Sequence, residues 1–181
     1  MPENPPTFFE RVALRAEEIL MTRLLPKEDP GPIFKWLFKT PILFYKIGLP
    51  LFGNFILLLT TKGRKSGKLR HTPLEYRREE SMGYRIIMAG WGGATDWRRN
   101  IEADSRVTVR AGREEYRAVA ERLTDEEVAA FLVKAMKLNP GSAKIWSRWA
   151  GESVTLDDPE VILRAARYFP SFRLIPVKKE K

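Results

Sequence analysis

The stretch NFILLLTTKGRKSGKLRHTPLEYRR, residues 54–78, decides how the rest of the chain is read. Asn54 to Thr61 is a run of apolar and β-branched residues, short enough for a buried strand. Lys62 to Lys68 is polar, and Gly63 and Gly67 within it permit a sharp turn with exposed main-chain amides. Leu69 to Arg78 reads as a second strand. The segment is therefore a strand, a tight basic turn and a returning strand.

Downstream, Glu79 to Gly83 is a turn and Tyr84 to Ala89 a third strand. Arg106 to Arg110 alternates as a strand, Ala111-Gly112-Arg113 turns, and Glu114 to Glu121 returns. Thr124 and Glu127 form a capping box, opening a helix with Val128, Phe131, Leu132, Ala135 and Met136 inward. Asn139-Pro140-Gly141 ends it, Ser142 to Trp149 forms a short helix, and Asp158-Pro159 starts another. Phe172 to Val177 is a final strand. Five or six short strands, one helix between the third and fourth, and helices towards the ends predict an α+β barrel or roll. They disfavour a doubly wound sheet, in which strands and helices alternate.

Upstream, Thr7 to Leu24 reads as an amphipathic helix opened by a Thr7–Glu10 capping box. A turn-rich linker covers Pro26 to Pro32, and a second helical stretch covers Ile33 to Ile47. The division expected is a helical extension over residues 1–53 and a barrel domain over 54–181. The apolar run Pro41 to Leu59, with Lys46 its one charge, nearly reaches the length of a bilayer span. Gly48, Pro50, Gly53 and Asn54 interrupt it, which predicts a short helix and then a strand. Lys35, Lys39 and Lys46 beside Phe34, Trp36 and Phe38 keep a peripheral membrane contact open.

Composition narrows the chemistry. The chain has 181 residues, no cysteine, one histidine (His71) and a formal net charge of +9. The length suits one domain with an appended element. Thiol nucleophiles, cysteine zinc sites and iron–sulfur clusters are excluded. A positive balance favours an anionic partner. The basic residues are scattered, with no organised nucleic-acid-binding pattern, so nucleic acid is not the expected partner. Met1 to Pro6 has no basic region leading into an apolar core, so no secretory signal is expected.

Two segments could carry chemistry. In the turn, Arg64, Lys65, Lys68, Arg70 and His71 gather positive charge, with hydroxyls from Ser66 and Thr72. Cations, hydroxyls and amides on one loop suit a phosphate, although a solvated basic turn has the same composition. In Ala89 to Ile101, Gly90, Gly92 and Gly93 let main chain approach a ligand closely, and Trp91 and Trp97 supply flat walls. Asp96 is placed to cap the following helix. A planar ring could lie there, and tryptophans anchoring a core would read the same way.

Together the two segments resemble the deazaflavin (coenzyme F420)-dependent nitroreductase family, also called the F420-dependent quinone reductase family. The pieces that carry the resemblance are Leu58 to Gly67, Arg70 to Leu74, Gly92-Gly93, Asp96 to Asn100 and Val107 to Val109. The resemblance implies a split β-barrel, FMN-binding-like, of about six mainly antiparallel strands with flanking helices. It implies an oxidoreductase passing hydride from reduced F420 to a small hydrophobic acceptor: a quinone, an enone or a nitroaromatic. FMN is the second choice of cofactor. Arg64, Lys65, Ser66 and Gly67 then look like the phosphate-binding turn. Arg70, His71, Thr72, Pro73 and Leu74 look like the strand along the cofactor's polar tail. Met88, Ala89, Gly90 and Trp91 look like the stretch beside the ring, and Asp96, Trp97 and Asn100 like the helix start that closes the pocket. No metal is implied, and no catalytic side chain is assigned.

The chain departs from its relatives in three places, one of them a shorter loop between Gly93 and Trp97. Trp91 stands where some carry lysine, and Gly141 to Trp146 replaces a segment with tyrosines. The alternative function is therefore a non-catalytic module of the same fold holding a lipid, fatty acid or flavin. The expected setting is cytoplasmic, as a monomer or homodimer, with a membrane surface or fatty acid as an alternative partner of the N-terminal region. Replacing Arg64 and Lys65 by alanine is expected to weaken cofactor binding and leave the apo-protein's melting temperature nearly unchanged.

Overall fold

The computed structural model describes residues 42, 43, 45, 56–79, 83–90 and 93–177. The predicted helix Thr7–Leu24, its capping box and the linker lie outside these residues. Of the stretch Ile33–Ile47, only Ile42, Leu43 and Tyr45 are described, and all three are helical.

Six strands account for the barrel: β1 Ile56–Lys62, β2 Leu69–Glu79, β3 Tyr84–Met88, β4 Arg106–Ala111, β5 Glu114–Arg122 and β6 Ser171–Pro176. Helix α1, Asp96–Ala103, joins β3 to β4. Every pairing is antiparallel. The order β1-β2-β3-β6-β5-β4 closes on itself through β4 and β1, so the final strand enters between β3 and β5. Closure leaves no free sheet edge. The period-2 pattern then separates an interior from an exterior on every strand. Leu57, Leu59, Ile87, Val109, Phe172 and Leu174 fill the interior, each worth about 1.5–3 kcal/mol when withdrawn from water.

The two mouths of the barrel are closed differently. At one, α1 inserts Trp97 and Ile101 into the core, and the Trp97 ring meets Phe172 edge-on with centroids 5.8 Å apart. At the other, Arg85 of β3 is buried. Its guanidinium donates to the Tyr116 hydroxyl at 2.7 Å and to Glu114 at 2.6 Å. It also lies over the Tyr76 and Tyr116 rings. Burial raises the Tyr116 phenol above its ordinary range, against the opposing pull of Arg85. A buried cation needs such partners, because an unpaired one would be costly.

Between β5 and β6 the chain forms a second compact unit, Thr124–Phe169. It holds α2 Asp125–Leu138, α3 Gly141–Ala150 and α4 Pro159–Tyr168. The Thr124–Glu127 capping box is formed in both directions. Asp158 caps α4 by accepting from the Glu160 and Val161 amides, with Pro159 in the first turn. Val128, Leu132 and Met136 of α2 and Val161, Ile162, Ala165 and Ala166 of α4 are buried. No helix among the described residues is long and apolar enough to cross a membrane.

Candidate functional site

The end of β1, the start of β2, the end of β3 and the start of α1 lie at one mouth of the barrel, because antiparallel order returns them there. The β1–β2 turn is closed by Gly63 N–H donating to the Lys68 carbonyl at 2.9 Å and Gly67 N–H to the Gly63 carbonyl at 2.7 Å. The Ser66 hydroxyl accepts from the Lys68 amide at 3.4 Å. Gly67 takes φ +66°, a conformation glycine adopts without strain.

This turn and the start of α1 are bound to each other. The Asn100 carboxamide oxygen accepts from the Arg64 main-chain N–H at 3.1 Å and from its Nη1 at 3.2 Å. The Asn100 Nδ2 donates to the Thr61 hydroxyl at 3.2 Å. Arg64 Nη2 reaches the Asp96 carboxylate at 2.9 Å. The two segments singled out in the sequence are therefore neighbours. Their internal roles differ from the sequence reading in two respects. The Arg64 guanidinium is engaged by α1, whereas Lys65, Lys68 and Arg70 are exposed and carry no ion pair among the described residues. Thr95, not Asp96, occupies the N-cap position, without a side-chain cap bond; Asp96 is the first helical residue and spends its carboxylate on Arg64.

Strand geometry also divides the predicted tail-binding strand. Arg70 pairs with Thr61, Thr72 with Leu59 and Leu74 with Leu57, so this row shares the interior face. Leu74 packs against the core and Tyr76 belongs to it. His71 pairs with Thr60 and Pro73 with Leu58, on the outer face. The His71 Nδ1 and Thr60 hydroxyl are 2.9 Å apart. Beside them lies a hollow of about 340 Å³, lined by Tyr45, Leu58, His71, Thr108, Arg110 and others. His71 and Pro73 therefore lie on the opposite face of β2 from Arg70, Thr72 and Leu74.

In the glycine loop, Ala89 is fully buried and its amide donates to the Pro170 carbonyl at 2.9 Å. Gly93 N–H donates to the Gly90 carbonyl at 3.0 Å, and Thr95 N–H to the Gly93 carbonyl at 2.7 Å. Gly93 has φ +73°, and a Cβ there would stand 2.9 Å from a Pro170 ring carbon. Met88 and Gly90 are half-buried; Trp91 lies outside the described residues. Trp97 is a core residue rather than an open wall.

The sequence reading missed Thr61 as a partner of the turn, and it missed Tyr45. The Tyr45 hydroxyl donates to the Ile56 carbonyl at 2.7 Å, and the Gly112 amide donates to it at 3.1 Å. Burial raises the Tyr45 phenol's pKa, with the Gly112 amide opposing. A lone tyrosine in an apolar run carries no periodic signal for such a bridge.

The chemistry offered at this mouth is a group of exposed cations beside the Ser66 hydroxyl. Among the described residues no group of His, Asp and Glu could hold a metal ion. The model of the F420H(2)-dependent quinone reductase family matches residues 43–154. The chain belongs to that family. It is an oxidoreductase that depends on reduced F420, and the closed barrel is the family's split-barrel fold. Among solved structures, an F420-H2-dependent reductase (FDR-A) is 27% identical, with TM-score 0.46 over 66% of this chain and 92% of that one. A structure described as a domain-swapped dimer is 23% identical, with TM-score 0.49 over 78% and 98%. An F420 reductase is 16% identical, with TM-score 0.41 over 68% and 87%.

Proposed function

We propose that this member of the family binds reduced F420 at the α1 mouth of the barrel and reduces a small hydrophobic acceptor, a quinone, an enone or a nitroaromatic. The observation that carries the reading is the cluster of exposed Lys65, Lys68 and Arg70 on a turn fixed by α1. An acidic, phosphate-bearing tail fits those residues: they supply charge-assisted donors, and Ser66 places a hydroxyl beside them. Arg70 and Thr72 extend the same row along β2 towards Leu74, which gives the apolar part of a ligand something to lie against. Gly90 and Met88, half-buried at the end of β3, are the residues we assign to the ring.

When bound, reduced F420 supplies a hydride, and the chain supplies orientation and electrostatics. A quinone taking that hydride needs one proton more to become the quinol. No described acid is fixed at this mouth for that purpose, and solvent is the proton source we assign.

The test is turnover. Oxidation of reduced F420 is followed optically with a quinone, an enone and a nitroaromatic in parallel. Acceptor-dependent oxidation with at least one of them is expected. Cofactor binding with no turnover of any would overturn the acceptor reading.

A further inference from the structure

Arg64 stands beside Lys65 in a basic turn, yet its side chain is bonded to Asp96 and Asn100 of α1. We propose that Arg64 is a positioning residue, locked by Asn100 and Asp96, which shapes the turn that presents Lys65 and Ser66 without itself gripping the anion. The inference rests on the proposed cofactor site.

Asn100 is 4% exposed and Thr61 1% exposed, so their bonds have little competition from water. One carboxamide oxygen holds both the peptide N–H and the guanidinium of Arg64. The same side chain's nitrogen holds the last buried residue of β1, Thr61. With main chain fixed at Thr61 and Arg64, the direction in which Lys65 leaves the turn is fixed as well. The guanidinium has a second tie, from Nη1 to the Asp96 carbonyl at 3.4 Å and from Nη2 to its carboxylate at 2.9 Å. A phosphate approaching that edge would meet a carboxylate already in place. The opposite holds at Lys65, Lys68 and Arg70, whose charge faces solvent. Buried polar atoms stripped of partners are costly, so the lock is a stiff one.

The experiment is a double-mutant cycle on the full chain. The Kd of oxidised F420, the melting temperature, and kcat and KM for the reduced cofactor are measured for wild type, R64A, N100L and R64A/N100L. Each single variant is expected to weaken binding about tenfold, the effect of losing roughly 1.4 kcal/mol. The double variant is expected to bind no worse than the weaker single, because both break one lock. KM should rise while kcat at saturating cofactor holds. Where N100L does not fold, Asn100→Ser completes the cycle. Losses that multiply in the double variant would overturn the inference, since Arg64 would then contact the anion independently. Wild type that binds no F420 would instead remove the cofactor site on which the inference stands.

Discussion

Removing Arg64 strips a guanidinium from a buried amide and from Asp96, whereas removing Lys65 strips only solvent. The paired-alanine expectation from the sequence is thereby divided into two separate predictions. R64A should lower apo-protein stability by about 1 kcal/mol, since its carboxylate partner is exposed and that part of the bond is weak. In a melting curve this is a fall of a few degrees, while K65A should leave the curve unmoved. Equal melting temperatures for the two variants would contradict the assignment. The sequence displayed the cations but not their partners, because a hydrogen bond between residues 36 apart leaves no local mark. Adjacent residues of a strand likewise look equivalent in a motif and are not: His71 faces Thr60 on the outer surface. His71→Ala should therefore leave F420 affinity within about twofold, as expected of a surface substitution. A tenfold loss would return His71 to the site.

Two joints decide how the elements meet at the α1 mouth. Gly93 lies where the glycine loop passes Pro170, and alanine there would combine a left-handed φ with a contact of 2.9 Å. Gly93→Ala should cost about 2 kcal/mol and disturb cofactor binding as well, read by denaturant titration. A stability unchanged from wild type would show that the loop yields. At the α1–β4 joint, Arg106 makes two side-chain bonds to Asp104, which hold its carboxyl at about 2 against an ordinary 3.8. Because the folded value lies below the unfolded one, this contribution is present above pH 3.8 and is lost as pH falls towards 2. Arg106→Ala should move the Asp104 titration, followed by NMR, up towards 3.8. The elements themselves were legible almost to their ends. The hairpin, the capped helix at Thr124 and the Asp158-Pro159 start all carry local signals, and local signals need no knowledge of the partner strand. Closure did not: that β6 inserts between β3 and β5 depends on long-range pairing such as Ile87 with Phe172.

For the whole molecule, the family and the closed barrel fix the class of chemistry, and the +9 charge acquires a location. In the proposed site its functional share is the exposed trio on the β1–β2 turn and the first residues of β2, at the mouth capped by α1. Among the described residues, Arg85, Arg106 and Arg164 are instead paired with carboxylates. An assembly that works this way should bind its cofactor through charge at one mouth, weakening with salt as exposed pairs are screened. The direct measurement is a fluorescence titration of oxidised F420 into wild type and into K65A/R70A. The account predicts saturable binding to wild type, weakened at least about tenfold in the variant, as expected when charge-assisted bonds worth about 1.5–3 kcal/mol each are lost. Equal affinity of the two proteins, or no binding to wild type, would contradict it.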